Sequence, residues 1–170
     1  MAKKHSKSIT LTAMVAGAAI LAGAAIAPAW AHHSFAMYDT NKVYVFTGVV
    51  TRVDPAPTHL MIHFVPLDES RQKVVLNKNG QPDEWSVEMM GSAQSARDGI
   101  SVNAFPPGTI FSVGLFPLRD GGHAGGRGTS GLFKCPDNVP PAPGKNCDSV
   151  EGATSHGKGV LPKPTGPAPN

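Results

Sequence analysis

The sequence predicts a mainly β protein: a small five-stranded OB-like barrel with one short helix, preceded by an N-terminal signal helix and followed by a disordered C-terminal tail. Three observations predict it. Apolar residues alternate with period two in several short segments between residues 43 and 134, one Ser- and Ala-rich stretch interrupts those segments, and Pro, Gly and Ser dominate after Lys134. Three strands, a short helix and two more strands in about 100 residues is the element order of an OB-like barrel. A small open β-sandwich accommodates the same elements and stands as the alternative.

At the N-terminus, Lys3, Lys4 and Lys7 precede an uncharged run from Ile9 to Ile26, which Pro28 breaks just before Ala29-Trp30-Ala31. That order marks residues 1–31 as a secretory signal peptide, with a mature chain beginning at His32 and a periplasmic or secreted location. The run is also long enough for an uncleaved anchor, but its Ala and Gly content and the Pro28 break favour cleavage, which leaves no membrane span. No twin-arginine pair is present, so the general secretory route is expected. Losing this segment removes three of the 15 lysines and arginines and none of the 12 acids, leaving a formally neutral mature chain. No nucleic-acid partner is therefore expected, because binding a phosphate backbone needs a basic excess.

The mature β domain is expected over residues 32–134. Val43 to Asp54 is rich in Val, Phe, Tyr and Thr and ends at Pro55-Ala56-Pro57, which marks the first strand and its turn. His59 to Val65 then places Leu60, Ile62 and Phe64 on one face and His59, Met61 and His63 on the other, a half-buried second strand. Arg71 to Leu76 extends this as a hairpin, and Asn79-Gly80 turns the chain into the next strand. From Glu84 to Met90, Trp85, Val87 and Met89 oppose Glu84, Ser86 and Glu88. Ser92 is expected to cap a short helix that Gly99 ends. Pro106-Pro107-Gly108 leads into a strand from Thr109 to Phe116, and a final strand is expected near Thr129 to Lys134 after a Gly-rich loop from Gly121 to Gly128.

Residues 135–170 form the Pro/Gly-rich tail, where Val139, Val150, Val160 and Leu161 are too few apolar anchors to offset the entropy of ordering the segment. Cys135 and Cys147 are the only cysteines, and an even count in an exported chain points to a disulfide loop. The competing arrangement is a two-thiolate metal site, for which no nearby His or second Cys pair is present.

HHSFAMYD directly after the signal segment, TGVVTRVD in the first strand, Pro57-Thr58-His59, EWSVEM and PPGTIFSVGLFPLRDG together resemble an uncharacterised family of short exported proteobacterial proteins, a domain of unknown function. The resemblance runs from His32 to about Gly121, and HHSF and PLRDG are its most specific parts. Members usually carry Asn before a Pro-His pair, where this chain has Ala56 and Pro57-Thr58-His59. The resemblance implies export and one β domain, and it brings no established activity.

Copper is the candidate cofactor. Cleavage after Ala31 would put the α-amine and imidazole of His32 at chelating distance, and one more imidazole would complete a nitrogen set suited to Cu(II). His33 and His59 are the candidate partners, against a plain alternative in which His32 and His33 are solvated residues on a terminus. His59 and His63 lie about 13 Å apart in a strand, too far to share an ion, whereas His59 with Met61 offers a nitrogen and thioether pair for Cu(I), against a favoured plain alternative of a polar strand face on which the Met fills a gap. Trp85 and Arg119 are the candidate binding residues. Trp85, with Phe64, would stack on a sugar or nucleotide across the second and third strands, although its apolar face also places it in the core. Arg119 is a charge beside the Gly-rich loop, although Arg119-Asp120 also reads as a turn with Asp120 accepting backbone N–H groups.

No nucleophile–base pair, acid/base pair or phosphate loop is legible, so the expectation is a non-enzymatic binding module whose partner is an unknown envelope protein or a small ligand. The alternatives are an envelope scaffold that uses no metal and, less favoured, a copper-dependent oxidoreductase.

Overall fold

The computed structural model describes residues 35–167; the expected signal segment, His32 and His33 lie outside the described residues. In chain order the elements are β1 (Tyr44–Asp54), β2 (Met61–Pro66), β3 (Trp85–Glu88), α1 (Ser92–Arg97), β4 (Ile110–Pro117), β5 (Ala124–Gly126), β6 (Leu132–Lys134) and β7 (Thr154–Ser155). Among the described residues no helix is long and apolar enough to cross a membrane.

The Val- and aromatic-rich β1 is long enough to serve two neighbours. Its first half pairs antiparallel with β4, from Tyr44 opposite Leu115 to Val49 opposite Ile110. Its second half pairs with β2, ending with Asp54 opposite Met61, and a register shift between Val50 and Arg52 bends the strand from one partner towards the other. β2 pairs with β3, β3 lies parallel to β5, and β5 returns antiparallel to the end of β4. The cyclic order β1-β2-β3-β5-β4-β1 closes a five-stranded barrel with its helix between β3 and β4, as the OB-like expectation required.

Alternation decides what fills the barrel. Phe46, Val50, Ile62, Phe64, Trp85, Val87, Phe111, Val113 and Leu115 point inward and are buried. Ile100 and Phe105, just after α1, belong to the same core, so the helix and the turn behind it plug one end of the barrel. Ser92 does not cap the helix: Gly91 is the N-cap, and the Ser92 hydroxyl donates to Ala56 O at 2.7 Å, tying the helix to the β1–β2 connection. Arg71–Leu76 is not a hairpin strand either. Single bridges, Leu67 with Val74 and Leu76 with Pro82, replace it, while the Asn79-Gly80 turn forms with Gly80 at φ 73°.

The fifth barrel strand is also not where alternation placed it. Leu132–Lys134 is a strand, but it lies outside the ring on the edge of β4, and Ala124–Gly126 in the Gly-rich loop closes the barrel. This segment has no side-chain pattern because its neighbours leave no room for one. A Cβ on Gly126 would meet the Tyr38 ring at 2.6 Å, and one on Gly125 would strike Leu115.

Past Cys135 the chain departs from the unfolded tail expected for it and runs as a strap along the barrel as far as Pro167. Cys135 and Cys147 are disulfide-bonded and fully buried, and with Leu67, Ile110, Val49, Phe133 and Val150 they form a second small core. β7 pairs with β6, and Arg127, itself buried, donates through Nη2 to His156 O at 2.6 Å and through Nε to Ser130 O at 2.8 Å. Farther on, Gly131 N donates to Val160 O, and Thr165 and Val43 exchange hydrogen bonds. Most of these anchors are backbone polar groups, which an inventory of apolar residues does not register.

One consequence is a pH dependence of the strap. The His156 ring lies edge-on to Phe105, with its centroid 4.8 Å away; Arg127 and Lys134 face it, and it also contacts Asp98 and Gly99. Burial pushes its pKa below the ordinary 6.5, so folding favours the neutral ring. Its contribution to stability is complete above about pH 6.5 and declines as pH falls through the depressed folded value. Amide exchange across residues 154–165 should therefore quicken between pH 7 and pH 5 beyond its intrinsic pH dependence, and His156→Phe should remove that extra acceleration.

Candidate functional site

OB-like barrels bind ligands on the outer face of β2 and β3 and on the connections that flank it. Because Ile62, Phe64, Trp85 and Val87 point inward, that face presents Met61, His63, Ser86 and Glu88, with no Phe, Tyr or Trp among them. His59 stands at its edge in the β1–β2 connection, and His123 in the β4–β5 connection.

Glu88 organises one end of the face. Its Oε1 lies 2.9 Å from His59 Nδ1, and its Oε2 accepts the Tyr38 hydroxyl at 2.7 Å. Tyr38 comes from the entering chain, bridged to Leu118, and its ring lies over Gly126, the residue paired with Glu88. Burial first, and then the bond to Glu88, push the Tyr38 phenol upward, so it stays protonated and donates. A carboxylate at Nδ1 puts the ring hydrogen there and leaves Nε2 as the lone-pair nitrogen, on a side chain that is 43% exposed. This carboxylate–imidazole pairing is the outer-shell arrangement that orients a metal-binding histidine.

His63 is separate. Its Nε2 lies 3.0 Å from Asp54 Oδ2 and 3.2 Å from an Arg52 nitrogen, within a network in which Arg52 also reaches Glu84 at 3.2 Å. The Thr51 hydroxyl, donating at 2.6 Å, and then Arg52 hold the Glu84 carboxyl below its ordinary range. This network is solvated on β1 and β2, and His59 and His63 have different partners. Among the described residues no group of three or more His, Cys, Asp or Glu side chains is placed to hold a metal.

Trp85 is 1% exposed, donates to Asp83 Oδ2 at 3.1 Å, and is covered on one face by the His123 ring, stacked at 4.7 Å. His123 Nδ1 in turn lies 2.9 Å from Asp83 Oδ1. The structure thus places both Trp85 and Phe64 in the core, with no ring face offered to a ligand. A cavity of about 690 Å³, which Trp85 helps to line and Phe64 does not, opens between β1, the β2–β3 connection and the strap. Arg119 is exposed and bonds Ala36 O at 3.1 Å through Nε and Met37 O through its backbone, fastening the entering chain to the barrel. Asp120 accepts Gly122 N–H at 2.9 Å, as a turn residue should.

With this geometry in place, comparison with known proteins adds one finding. A family model described as a family of unknown function (DUF6152) matches residues 19–127. The chain belongs to this family. The matched span holds every strand of the DUF6152 barrel and stops one residue after β5, so β6, β7 and the disulfide strap lie beyond it. It contains Tyr38, His59 and Glu88. No curated protein and no solved structure matches the chain.

Of the residues singled out from sequence, His59 stands in a defined polar setting, and Cys135 and Cys147 are paired. Glu88 and Tyr38 were missed as partners. Alternation had already turned Glu88 outward, but only strand register puts it beside His59.

Proposed function

We propose that the protein is exported and that its mature form is a non-enzymatic binding module that takes copper through His32, His33 and His59. The observation that carries this reading is His59, whose imidazole is held at Nδ1 by a carboxylate that Tyr38 fixes from behind. An N-terminal amine with its own imidazole and the Nε2 of His59 makes a nitrogen set that suits Cu(II).

Titrating the processed protein with Cu(II), with EPR as readout, tests this. Nitrogen hyperfine structure and tight binding are expected, and both should disappear when one residue is added before His32. His59→Ala should weaken the site by about ten-fold or more. Binding no better than that of His32→Ala would overturn the copper reading and leave an envelope interaction module that uses no metal.

A further inference from the structure

We infer that His59, Met61 and Met90 form a Cu(I) site on the outer face of β2 and β3, one that needs no contribution from the N-terminal amine. It rests on the copper reading above only in sharing His59.

Strand register assembles the three residues. Met61 lies directly across from Glu88, the carboxylate that orients His59, and is partly exposed. Just beyond that pair the ladder slips: Met89 N donates to Leu60 O at 2.8 Å, while Leu60 N donates to Met90 O at 3.1 Å. Two residues therefore face one, and Met90 comes level with Leu60, between His59 and Met61 along the facing chain. Met89 turns into the core at 4% exposure, whereas Met90 stands 63% exposed.

Methionine in a protein interior fills gaps with its flexible thioether, but Met90 fills none. Register thus brings two thioether residues, Met61 and the exposed Met90, to the stretch of chain that carries His59, whose Nε2 has no partner among the described residues, and together they offer a soft donor set of one nitrogen and two sulfurs. Soft thioether ligands select Cu(I) over Zn(II) and over the harder divalent ions. The arrangement also explains why no site emerges from His, Cys, Asp and Glu positions alone, since two of its three donors are sulfur.

The test is an anaerobic Cu(I) titration of the processed protein in competition with bicinchoninate, with methionine methyl groups labelled for NMR. The methyl resonances of Met61 and Met90 should shift on Cu(I) addition while that of buried Met89 does not. Met61→Leu with Met90→Leu keeps side-chain volume and should weaken Cu(I) binding at least ten-fold while leaving the Cu(II) EPR signal unchanged. The variant with one residue before His32 should show the reverse: Cu(II) lost, Cu(I) kept. Unshifted methyl resonances, or unchanged Cu(I) affinity in the double Leu variant, would overturn the proposal. If Cu(I) binding instead falls with the N-terminal extension and ignores the Leu changes, all copper belongs to the N-terminus; this site is then refuted while the proposed function stands.

Discussion

Trp85→Ala is expected to destabilise the barrel by about 3–5 kcal/mol, enough to leave little folded protein in a domain of ordinary stability. Among the described residues Trp85 is the largest fully buried side chain, and it touches the core from several directions, with Phe46 4.7 Å and Tyr44 6.2 Å between ring centroids. Its removal opens a cavity and also withdraws the indole N–H from Asp83, a carboxylate only 4% exposed. The two effects separate in Trp85→Phe, which keeps most of the volume and loses the donor, at an expected cost of about 1–3 kcal/mol. Urea unfolding followed by far-UV circular dichroism measures both. An alanine variant with near wild-type stability would mean that Trp85 serves a ligand rather than the core.

Replacing both Cys135 and Cys147 by alanine is expected to cost about 3 kcal/mol and to lower the thermal midpoint by about 10 °C. The bridge closes a sequence separation of 12 residues and stands in its own small core with Leu67 and Ile110. The strap is also tied to the barrel by Thr47 and Ser112, whose hydroxyls reach Asn146 Oδ1 and Cys147 N. The size of the loss decides whether the strap belongs to the folded unit. A disulfide inside an unfolded tail constrains folded and unfolded states alike and contributes nothing. An unchanged midpoint would therefore detach residues 135–167 from the barrel, whereas the expected drop, with faster amide exchange in β6 and β7, makes them part of it.

How much was legible in the sequence follows from what each element is made of. β1, β2 and β3 carry large side chains that alternate between the core and the outer face, so Ile62, Phe64, Trp85 and Val87 announced both their strands and the inward face, while β4 alternates in sequence but is buried along almost its whole length. The helix was legible from composition, though Ser92 was misread because a hydroxyl near a helix start can serve a carbonyl of another segment as well as a cap. β5 was illegible. Ala124-Gly125-Gly126 is a strand because Leu115 and Tyr38 press against it, and that crowding removes the side chains that pattern reading depends on. The candidate site was half legible: His59 stood out by residue type, while Glu88, 29 positions away, and Tyr38 could be assigned to it only through register.

By itself the sequence determined the segments that form β1 to β4, the even pair of cysteines and the candidate metal-binding histidines, because these depend on residue type and local period. Tertiary structure alone decided that the Gly-rich loop closes the ring, that the strap lies on the barrel, and that His59 is held by Glu88 and Tyr38. These depend on backbone hydrogen bonds and close approaches between segments distant in the chain, and such contacts leave no periodic trace in the residues that make them.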